Sequence, residues 1–332
     1  MTETTTVNVI TEKHPRFAAW APPRSLLAIL VLCGALQGLV PIISTAAAEE
    51  QKAAEPKTFA TADAAAKSLI EALGKDGVDA LLAVLGSEYK EELFGGDPDA
   101  SRKNRERAFK AASEMNKLRD EGKDTKVLLI GTEVWPVPFP LVKVEGGWQF
   151  DTNAGIEEIV NRRIGESELT AIKICRAYID AQVDYASADR DDDGVLEYAQ
   201  VISSSPGKKD GLYWEAGAGE ELSPFGPLVT DAKDYLDSRE IGDPLKGYYY
   251  TILTRQGANA PGGRHDYIIN GNMIAGFGMI AFPADHGNSG IMTIMCSHQD
   301  KVYEKNFGPD SDLIAAGVET YNPDSSWTEV EE

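Results

Sequence analysis

The amino-acid sequence predicts an α+β protein. We expect N-terminal helices plus a curled antiparallel sheet, and then a long helix packed on a C-terminal antiparallel sheet. Apolar residues recur at intervals of three and four between Thr61 and Leu118, which is the spacing of one helical face. Short runs rich in Val, Ile, Leu and Trp follow, separated by Gly or Pro, as strands are. The same order, helix and then strands, repeats after Gly165.

Capping residues and glycines predict where the helices of the first half begin and end. Thr61 is a good N-cap for a helix through Leu73, and glycines follow it. Two further helical segments are predicted, Val78–Leu85 and Ser101–Arg119. The strands expected after them are Thr125–Gly131, Val134–Val137, Leu141–Val144 and Trp148–Asp151.

The first half resembles the nuclear-transport-factor-like superfamily in three stretches, FATADAAAKSLIEAL, DALLAVLG and VKVEGGWQFDT. The resemblance implies a cone-shaped module, which in that superfamily is either an enzyme or a dimerisation module. This half contains no histidine. A binding or scaffolding role is therefore expected for it.

The second half begins with a long amphipathic pattern. Leu169, Ile172, Cys175, Ile179, Val183 and Ala186 share one helical face. The later apolar strands are expected to form an antiparallel sheet that packs on this helix. The candidates for its inner face are Ile280, Phe282, Ile291, Ile294, Cys296 and Val302.

An acidic run, Asp189-Arg190-Asp191-Asp192-Asp193-Gly194, ends the helical pattern. Asp189, Asp191 and Asp193 fit positions one, three and five of a calcium loop, and Gly194 fits the sharp turn at position six. Val195 would add a backbone carbonyl, and Glu197 would ligate at position nine. The sequence therefore predicts a structural calcium ion that holds the helix to the sheet.

The loop departs from a complete EF-hand, because Gln200 stands at position twelve in place of the bidentate glutamate. No exiting helix is evident. The alternative is a solvated acidic turn that ends a helix.

Residues 1–48 are typical of a secretory signal peptide. Three basic residues precede an apolar run from Leu26 to Val40, and Ala46-Ala47-Ala48 offers small residues for cleavage. The alternative is a membrane anchor, but Gly34, Gln37 and Gly38 interrupt the run, which is shorter than the roughly 20 residues of a span. We therefore expect a periplasmic or secreted protein with no stable membrane span.

The charge balance limits the partners. The formal net charge is −21, and loss of residues 1–48, which hold two acids and three bases, would leave −22. Such a surface disfavours nucleic acid. An envelope protein or a glycan is the expected partner, and Tyr248–Tyr250 and Tyr213-Trp214 could line a groove for it, although strand aromatics more often fill a sheet.

Two cysteines remain after export, Cys175 and Cys296. An oxidising compartment allows them to form a disulfide, and no third cysteine competes. The alternative is two buried free thiols.

Histidines of the C-terminal half allow a second function, an envelope hydrolase that uses His286 and His298. The surroundings of Ser289 lack the strand, nucleophile and helix context of a serine hydrolase. A zinc site from His286, His298 and Asp266 matches no common spacing. The sequence therefore favours a non-catalytic protein and names no catalytic residue.

Several long stretches resemble a bacterial secreted family known as domain of unknown function family 2950. They are CRAYIDAQVDYASADRDDDGVLEYAQ, SSSPGKKDGLYW, PLKGYYYTILTRQGANAPGG and DYIINGNMIAGFGMIAFPADHGNSGIMTIMCSHQDKVYEKNFGPD. The resemblance implies export and a two-part build, and it implies no activity. The second half is also faintly similar to type IV pilin-like heads, although a pilin joins its apolar helix directly to the head.

The predicted organisation has four parts. A signal peptide covers residues 1–48 and a flexible lead-in covers 49–58. A nuclear-transport-factor-like module covers 59–164, and a helix-plus-sheet, pilin-head-like module covers 165–332. The predicted function is that of an exported binding or scaffolding protein with a structural calcium loop.

Overall fold

The computed structural model describes residues 55–95, 98–190, 193–217, 219–226 and 243–331, which all lie within one unit, Lys52–Glu332. The predicted signal peptide and most of the lead-in lie outside the described residues. The α+β class is confirmed, because helices and antiparallel sheets alternate in the expected order.

The first half contains four helices and one sheet. The helices are α1 (Ala62–Leu73), α2 (Asp79–Leu85), α3 (Lys90–Phe94), preceded by a 3₁₀ turn at Ser87–Tyr89, and α4 (Pro98–Glu114). The strands are β1 (Asn116–Asp120), β2 (Thr125–Ile130), β3 (Trp135–Pro136), β4 (Leu141–Val144) and β5 (Gly147–Phe150). They pair antiparallel in the order β1-β2-β4-β5, and β3 joins β2.

The start of α1 follows from its cap. The Oγ1 atom of Thr61 accepts a hydrogen bond from the backbone N–H of Ala64 at 3.1 Å, which satisfies one of the free donors of the first turn. The helix then buries Ala65 and Leu69 against the sheet residues Leu128 and Phe150. A continuous apolar core results in this half.

The third predicted helix, Ser101–Arg119, is wrong at its C-terminal end. Helix α4 stops at Glu114, because Asn116 Nδ2 donates to the carbonyl of Ala112 at 2.9 Å and binds the end of the last turn. The following residues pair with β2 and form β1. The charged residues of β1 conceal its strand character, because an edge strand exposes most of its side chains.

One long helix, α5 (Thr152–Tyr185), joins the two halves. The carboxylate of Asp151 accepts from Ala154 N at 3.0 Å and so caps its start. The helix continues through Gly165, so the predicted module boundary lies inside it. The division at that residue stays a prediction.

The described part of the second half contains ten strands and a short helix. They are β6 (Tyr248–Leu253), β7 (Arg255–Gln256), β8 (His265–Asp266), β9 (Ile268–Ile269), β10 (Asn272–Met273), β11 (Gly278–Pro283), β12 (Thr293–Ser297), β13 (Lys301–Lys305), α6 (Ser311–Ala316), β14 (Thr320–Tyr321) and β15 (Thr328–Glu329). The main sheet is antiparallel, in the order β15-β13-β12-β11-β6. Strand β14 pairs with β7 in parallel.

Both faces of the main sheet are covered, which corrects one expectation. Ile294, Cys296 and Val302 face α5, as predicted. Ile280 and Phe282 instead lie in a second core on the opposite face, together with residues such as Ala315 and Tyr321. The reason is the two-residue period of a strand, which sends Ile280 and its neighbour Met279 to opposite faces.

The buried face of α5 also differs from the prediction. The side chains of Leu169 and Val183 are each 61% exposed. The helix instead packs on the sheet through Ala171, Ile174, Cys175, Tyr178, Ile179, Gln182 and Tyr185. The inner face is therefore rotated toward two tyrosines and a glutamine, whose polar atoms find partners in the core.

A disulfide ties α5 to β12. Cys175 and Cys296 are paired, with their Cα atoms 6.1 Å apart, and both residues are fully buried. This pairing supports the disulfide prediction and fixes the helix against the centre of the sheet.

Candidate functional site

The acidic loop follows α5 and lies against the β9–β10 hairpin. Tyr198 N donates to the carbonyl of Met273 in β10 at 2.8 Å. Asp191 and Asp192 lie outside the described residues. The predicted ligands that the structure places are therefore Asp189, Asp193, Val195 and Glu197.

The one basic residue of this run, Arg190, is turned into the protein. Its side chain is only 6% exposed. Its guanidinium donates to the carbonyl of Tyr185 at 3.1 Å and to that of Asp184 at 3.3 Å, and so binds the last carbonyls of α5. The positive charge of Arg190 therefore interacts with the carbonyl groups at the C-terminal end of α5.

Arg190 also belongs to a cluster around Trp214. Its Nη1 donates to Glu221 Oε1 at 2.5 Å, and Lys209 Nζ donates to Glu221 Oε2 at 2.8 Å. The Arg190 guanidinium and the Lys209 ammonium lie 5.4 and 5.3 Å from the centroid of the indole ring. Hydrogen bonds from Lys209 and Arg190 lower the pKa of Glu221 to about 2.

Trp214 and Tyr248, two of the aromatic residues considered above as groove lining, are both buried. Trp214 is 8% exposed, and its Nε1 donates to the carbonyl of Glu221 at 3.0 Å. Tyr248 is fully buried in the core against α5. These two rings therefore fill the interior, as aromatic residues in sheets commonly do.

Asp189 and Asp193 accept hydrogen bonds from backbone and side-chain amide groups. Asp189 Oδ2 accepts from Gly194 N at 2.9 Å, and Gly194 has the left-handed φ of 85° that this sharp turn requires. Asp193 accepts from Val195 N and from Asn272 Nδ2, each at 2.7 Å. Two of these contacts lie within the loop, and the third joins it to β10.

Glu197 makes a further connection to the hairpin. Its Oε2 accepts from Met273 N at 2.9 Å. Gln200, at the position where an EF-hand has its bidentate glutamate, donates instead to the carbonyl of Gly271 at 2.6 Å. The loop is therefore held to the hairpin by side chains on both sides of Gly194.

The residues that fix the loop to the helix were missed in the sequence. Gln182 is fully buried, and its amide bonds both backbone atoms of Ala199. Tyr178, one turn earlier, accepts from Gln182 Nε2 and donates to the carbonyl of Gly278 in β11. A glutamine and a tyrosine four residues apart beside an apolar stripe are the signal that could have found them.

The metal-binding capacity of the loop depends on the ligands that the described residues supply. Among these residues, no group of three or more His, Cys, Asp or Glu side chains is arranged to hold an ion. The donor chemistry is nevertheless that of a hard cation, because carboxylate oxygens and a backbone carbonyl are calcium ligands. The two oxygens of Asp193 accept one hydrogen bond each, so each keeps a second lone pair. Asp191, the remaining predicted ligand, has no described position.

The histidines of the second function have separate neighbours. His286 Nε2 lies 3.1 Å from Asn306 Oδ1. His298 packs edge-on against Tyr267 and Phe277, and burial lowers its pKa. The Oγ atom of Ser289 donates to the carbonyl of Gly247 at 2.8 Å and accepts from Asp285 N at 3.0 Å. The hydroxyl of Ser289 therefore stabilises the turn in which it lies.

The geometry defines an α+β protein whose long helix is joined to an antiparallel sheet by a disulfide and a buried polar network. The chain belongs to the family described as "Protein of unknown function (DUF2950)", which it matches over residues 56–330. The search of curated proteins and the search of solved structures returned no match. The resemblances to pilin-like heads and to the nuclear-transport-factor-like superfamily are not confirmed.

Within the described ranges, no helix has both the length and the apolar character needed to cross a bilayer.

Proposed function

We propose that this protein is exported to the periplasm or secreted, that it acts in the cell envelope by binding a partner rather than by catalysis, and that its acidic loop binds a structural calcium ion. The observation that carries the calcium proposal is the inward orientation of Arg190. If the guanidinium of Arg190 lay among the loop carboxylates, it could neutralise them and no metal would be needed. Arg190 instead binds the last carbonyls of α5 and the carboxylate of Glu221.

The proposed ligands are Asp189, Asp191, Asp193, the carbonyl of Val195 and Glu197. Clustered carboxylates repel one another unless solvent or a counterion separates them. Asp193 and Glu197 receive hydrogen bonds from amide groups that carry no net charge. A divalent ion would supply the missing positive charge, and an incomplete ligand set of this kind fits the weaker, extracellular class of calcium site.

Calcium would stabilise the connection between the end of α5 and the β9–β10 hairpin. The loop connects the end of α5 to β10 through the contacts of Asp193 with Asn272 and of Glu197 with Met273. An ion bound among these carboxylates would hold the helix end and the hairpin together. The site is therefore proposed as structural.

Export is supported by the signal-peptide pattern of residues 1–48 and by the Cys175–Cys296 disulfide, since disulfides persist in oxidising compartments. The binding role is supported by the contacts of Ser289 and His286, which hold turns. An envelope protein or a glycan remains the proposed partner.

The calcium proposal is tested by thermal unfolding of the purified protein in millimolar calcium and in excess chelator. We expect calcium to raise the melting temperature and magnesium to raise it less. Asp191→Ala and Asp193→Asn should abolish the rise, and Asp180→Asn, which removes an exposed acid elsewhere on α5, should retain it. Equal melting temperatures with calcium and with chelator would overturn the proposal.

Export is tested by fractionation and by the mass of the mature chain. We expect the protein in the periplasm or medium, with a mass that corresponds to loss of about the first 48 residues. A full-length chain retained in the cytoplasm would contradict the proposal.

A further inference from the structure

The outward face of α4 carries a row of cations, Lys103, Arg107 and Lys110, which we name the α4 cation stripe. The inner face of the helix is formed by residues such as Arg105, Ala108 and Ala112, which are partly or fully buried. The three stripe residues are exposed and lie at positions i, i+4 and i+7 on the opposite face. The rise of a helix spaces them by about 6 and 4.5 Å along its axis.

One acid beside the stripe, Glu106, is already paired with a cation outside the stripe. Arg102 binds Asp99 at 3.0 Å and Glu106 at 3.3 Å. Among the residues that the structure describes, none forms an ion pair with Lys103, Arg107 or Lys110. A shallow open depression on this face is lined by the three stripe residues and Glu106. The depression is therefore positive.

This local charge stands out against the rest of the chain. Residues 165–332 hold 12 Lys and Arg against 29 Asp and Glu, whereas α4 holds five bases against three acids in its 17 residues. Exposed charges are largely screened beyond about 8–10 Å at physiological ionic strength. An anion can therefore be attracted to the α4 cation stripe although the whole protein is acidic.

The composition of the stripe selects among anionic partners. Protein–protein interfaces are depleted in Lys and centred on aromatic or apolar residues. None of the three stripe residues is aromatic or apolar. An interfacial membrane helix needs an apolar face to insert. Ala108, Ala111 and Ala112 of α4 pack toward the core, and Phe109, which is 39% exposed, is a single ring and does not make an apolar face. What remains is recognition by charge alone. Arg forks onto phosphate, and Lys binds it as a point charge.

We propose that the α4 cation stripe binds a linear polymer with repeating phosphate groups in the cell envelope. This inference rests on the proposed envelope location, and it adds a phosphate polymer to the envelope protein or glycan proposed as partner. Successive phosphates of a flexible chain can each meet one cation of the row, and binding releases the counterions that they carry.

Long-chain inorganic polyphosphate is the probe, and its binding to the purified mature protein is followed by fluorescence anisotropy at several salt concentrations. Three phosphate contacts predict a slope of log K against log salt of about −2, or roughly a 20-fold loss of affinity between about 50 and 200 mM salt. K103A/R107A/K110A should lose at least about tenfold in affinity, because it removes all three contacts. The control K67A/K90A/K143A removes three exposed lysines elsewhere in the first half and changes the net charge equally, so it should bind as the wild type does.

Three results would overturn the inference: no binding of polyphosphate, equal losses in the two triple variants, or tighter binding to single-stranded DNA or to phosphatidylglycerol vesicles than to polyphosphate. The last result would assign the stripe to nucleic acid or to a membrane surface. These outcomes are separate from failure of the proposed function, which is read from fractionation and the calcium melts and does not involve the stripe.

Discussion

Gln182, near the end of α5, binds both backbone atoms of Ala199. Its Nε2 donates to the carbonyl of Ala199 at 2.9 Å, and its Oε1 accepts from the N–H of the same residue at 2.8 Å. Ala199 lies beyond the acidic loop, so this one side chain closes the loop onto the helix from which it departs. All of these atoms are buried, and the bonds are therefore shielded from water.

We predict that Gln182→Ala destabilises the protein by about 2–4 kcal/mol, since it leaves two buried backbone groups without partners and opens a cavity. The free energy of unfolding in urea measures the loss. Val183→Ala is the matched control, because Val183 is the next residue and is 61% exposed, so its loss should stay within about 0.5 kcal/mol. Similar losses for the two variants would contradict the structural role of Gln182.

The Cys175–Cys296 disulfide closes a loop with a sequence separation of 121 residues. Loop-closure entropy predicts a stabilisation of about 5 kcal/mol from restriction of the unfolded chain. The double variant C175A/C296A should unfold at correspondingly lower denaturant. Because both cysteines are fully buried, a reductant should leave the native wild type unchanged until unfolding exposes the bond. Rapid reduction of the folded protein would show that the bond is accessible.

Ionised Glu221 should stabilise the folded protein by holding Arg190 and Lys209 beside Trp214. Its pKa is lowered to about 2 in the folded state from an ordinary value of 4.5, so its contribution is complete above about pH 4.5 and is lost as the pH falls toward 2. Since Glu221 is half exposed, the contribution is about 1 kcal/mol or less after solvent screening. Glu221→Gln should flatten this part of the stability–pH curve and increase quenching of Trp214 fluorescence. A pH dependence that is unchanged in the variant would contradict the assignment.

His298 should give a second pH dependence, of the same sign but at higher pH. Burial lowers its pKa below the ordinary 6.5, so the unfolded chain binds the proton first and stability falls as the pH drops below about 6.5 and through the folded pKa. His298→Gln should reduce this loss of stability below about pH 6.5. His286→Gln is the control, since the His286 ring contacts Asn306 at the surface and lies outside the aromatic cluster around His298. Loss of the pH dependence in the His286 variant alone would contradict the role of His298.

Calcium affinity should depend on Glu197 less than on Asp193, because position nine of a calcium loop often ligates through a water molecule, whereas position five ligates directly. We predict that Glu197→Gln weakens calcium binding, measured by isothermal titration calorimetry, by a smaller factor than Asp193→Asn does. Both substitutions keep one amide oxygen and remove one charge, so the comparison tests the position of the residue in the loop. A larger effect at Glu197 than at Asp193 would contradict the predicted ligand order.

The sequence predicted local features with short-range causes. The N-cap at Thr61 is correct because a hydroxyl and the next turn decide it. The strand Leu141–Val144 is correct to the residue, since its alternation and the following glycines need no distant partner. The end of α4 was missed because an asparagine side chain and pairing with β2 decided it.

The calcium loop could be predicted as a set of ligand types, although not as a geometry. The acidic pattern names Asp189, Asp193 and Glu197, and it does not reveal that Arg190 turns inward to the helix carbonyls. That orientation depends on Tyr185, Trp214 and Glu221, which come together only in the folded chain.

By itself the sequence determined the α+β class, the family, the order of helices and strands and the two cysteines that pair. Only the tertiary structure decided that Leu169 faces solvent while Tyr178 and Gln182 are buried, and that Ile280 lies on the far side of the sheet. The physical reason is that periodicity groups residues onto one face of an element, whereas burial of that face depends on neighbours distant in sequence. A polar side chain can enter a core once its hydrogen bonds are satisfied, and those partners are supplied by the fold.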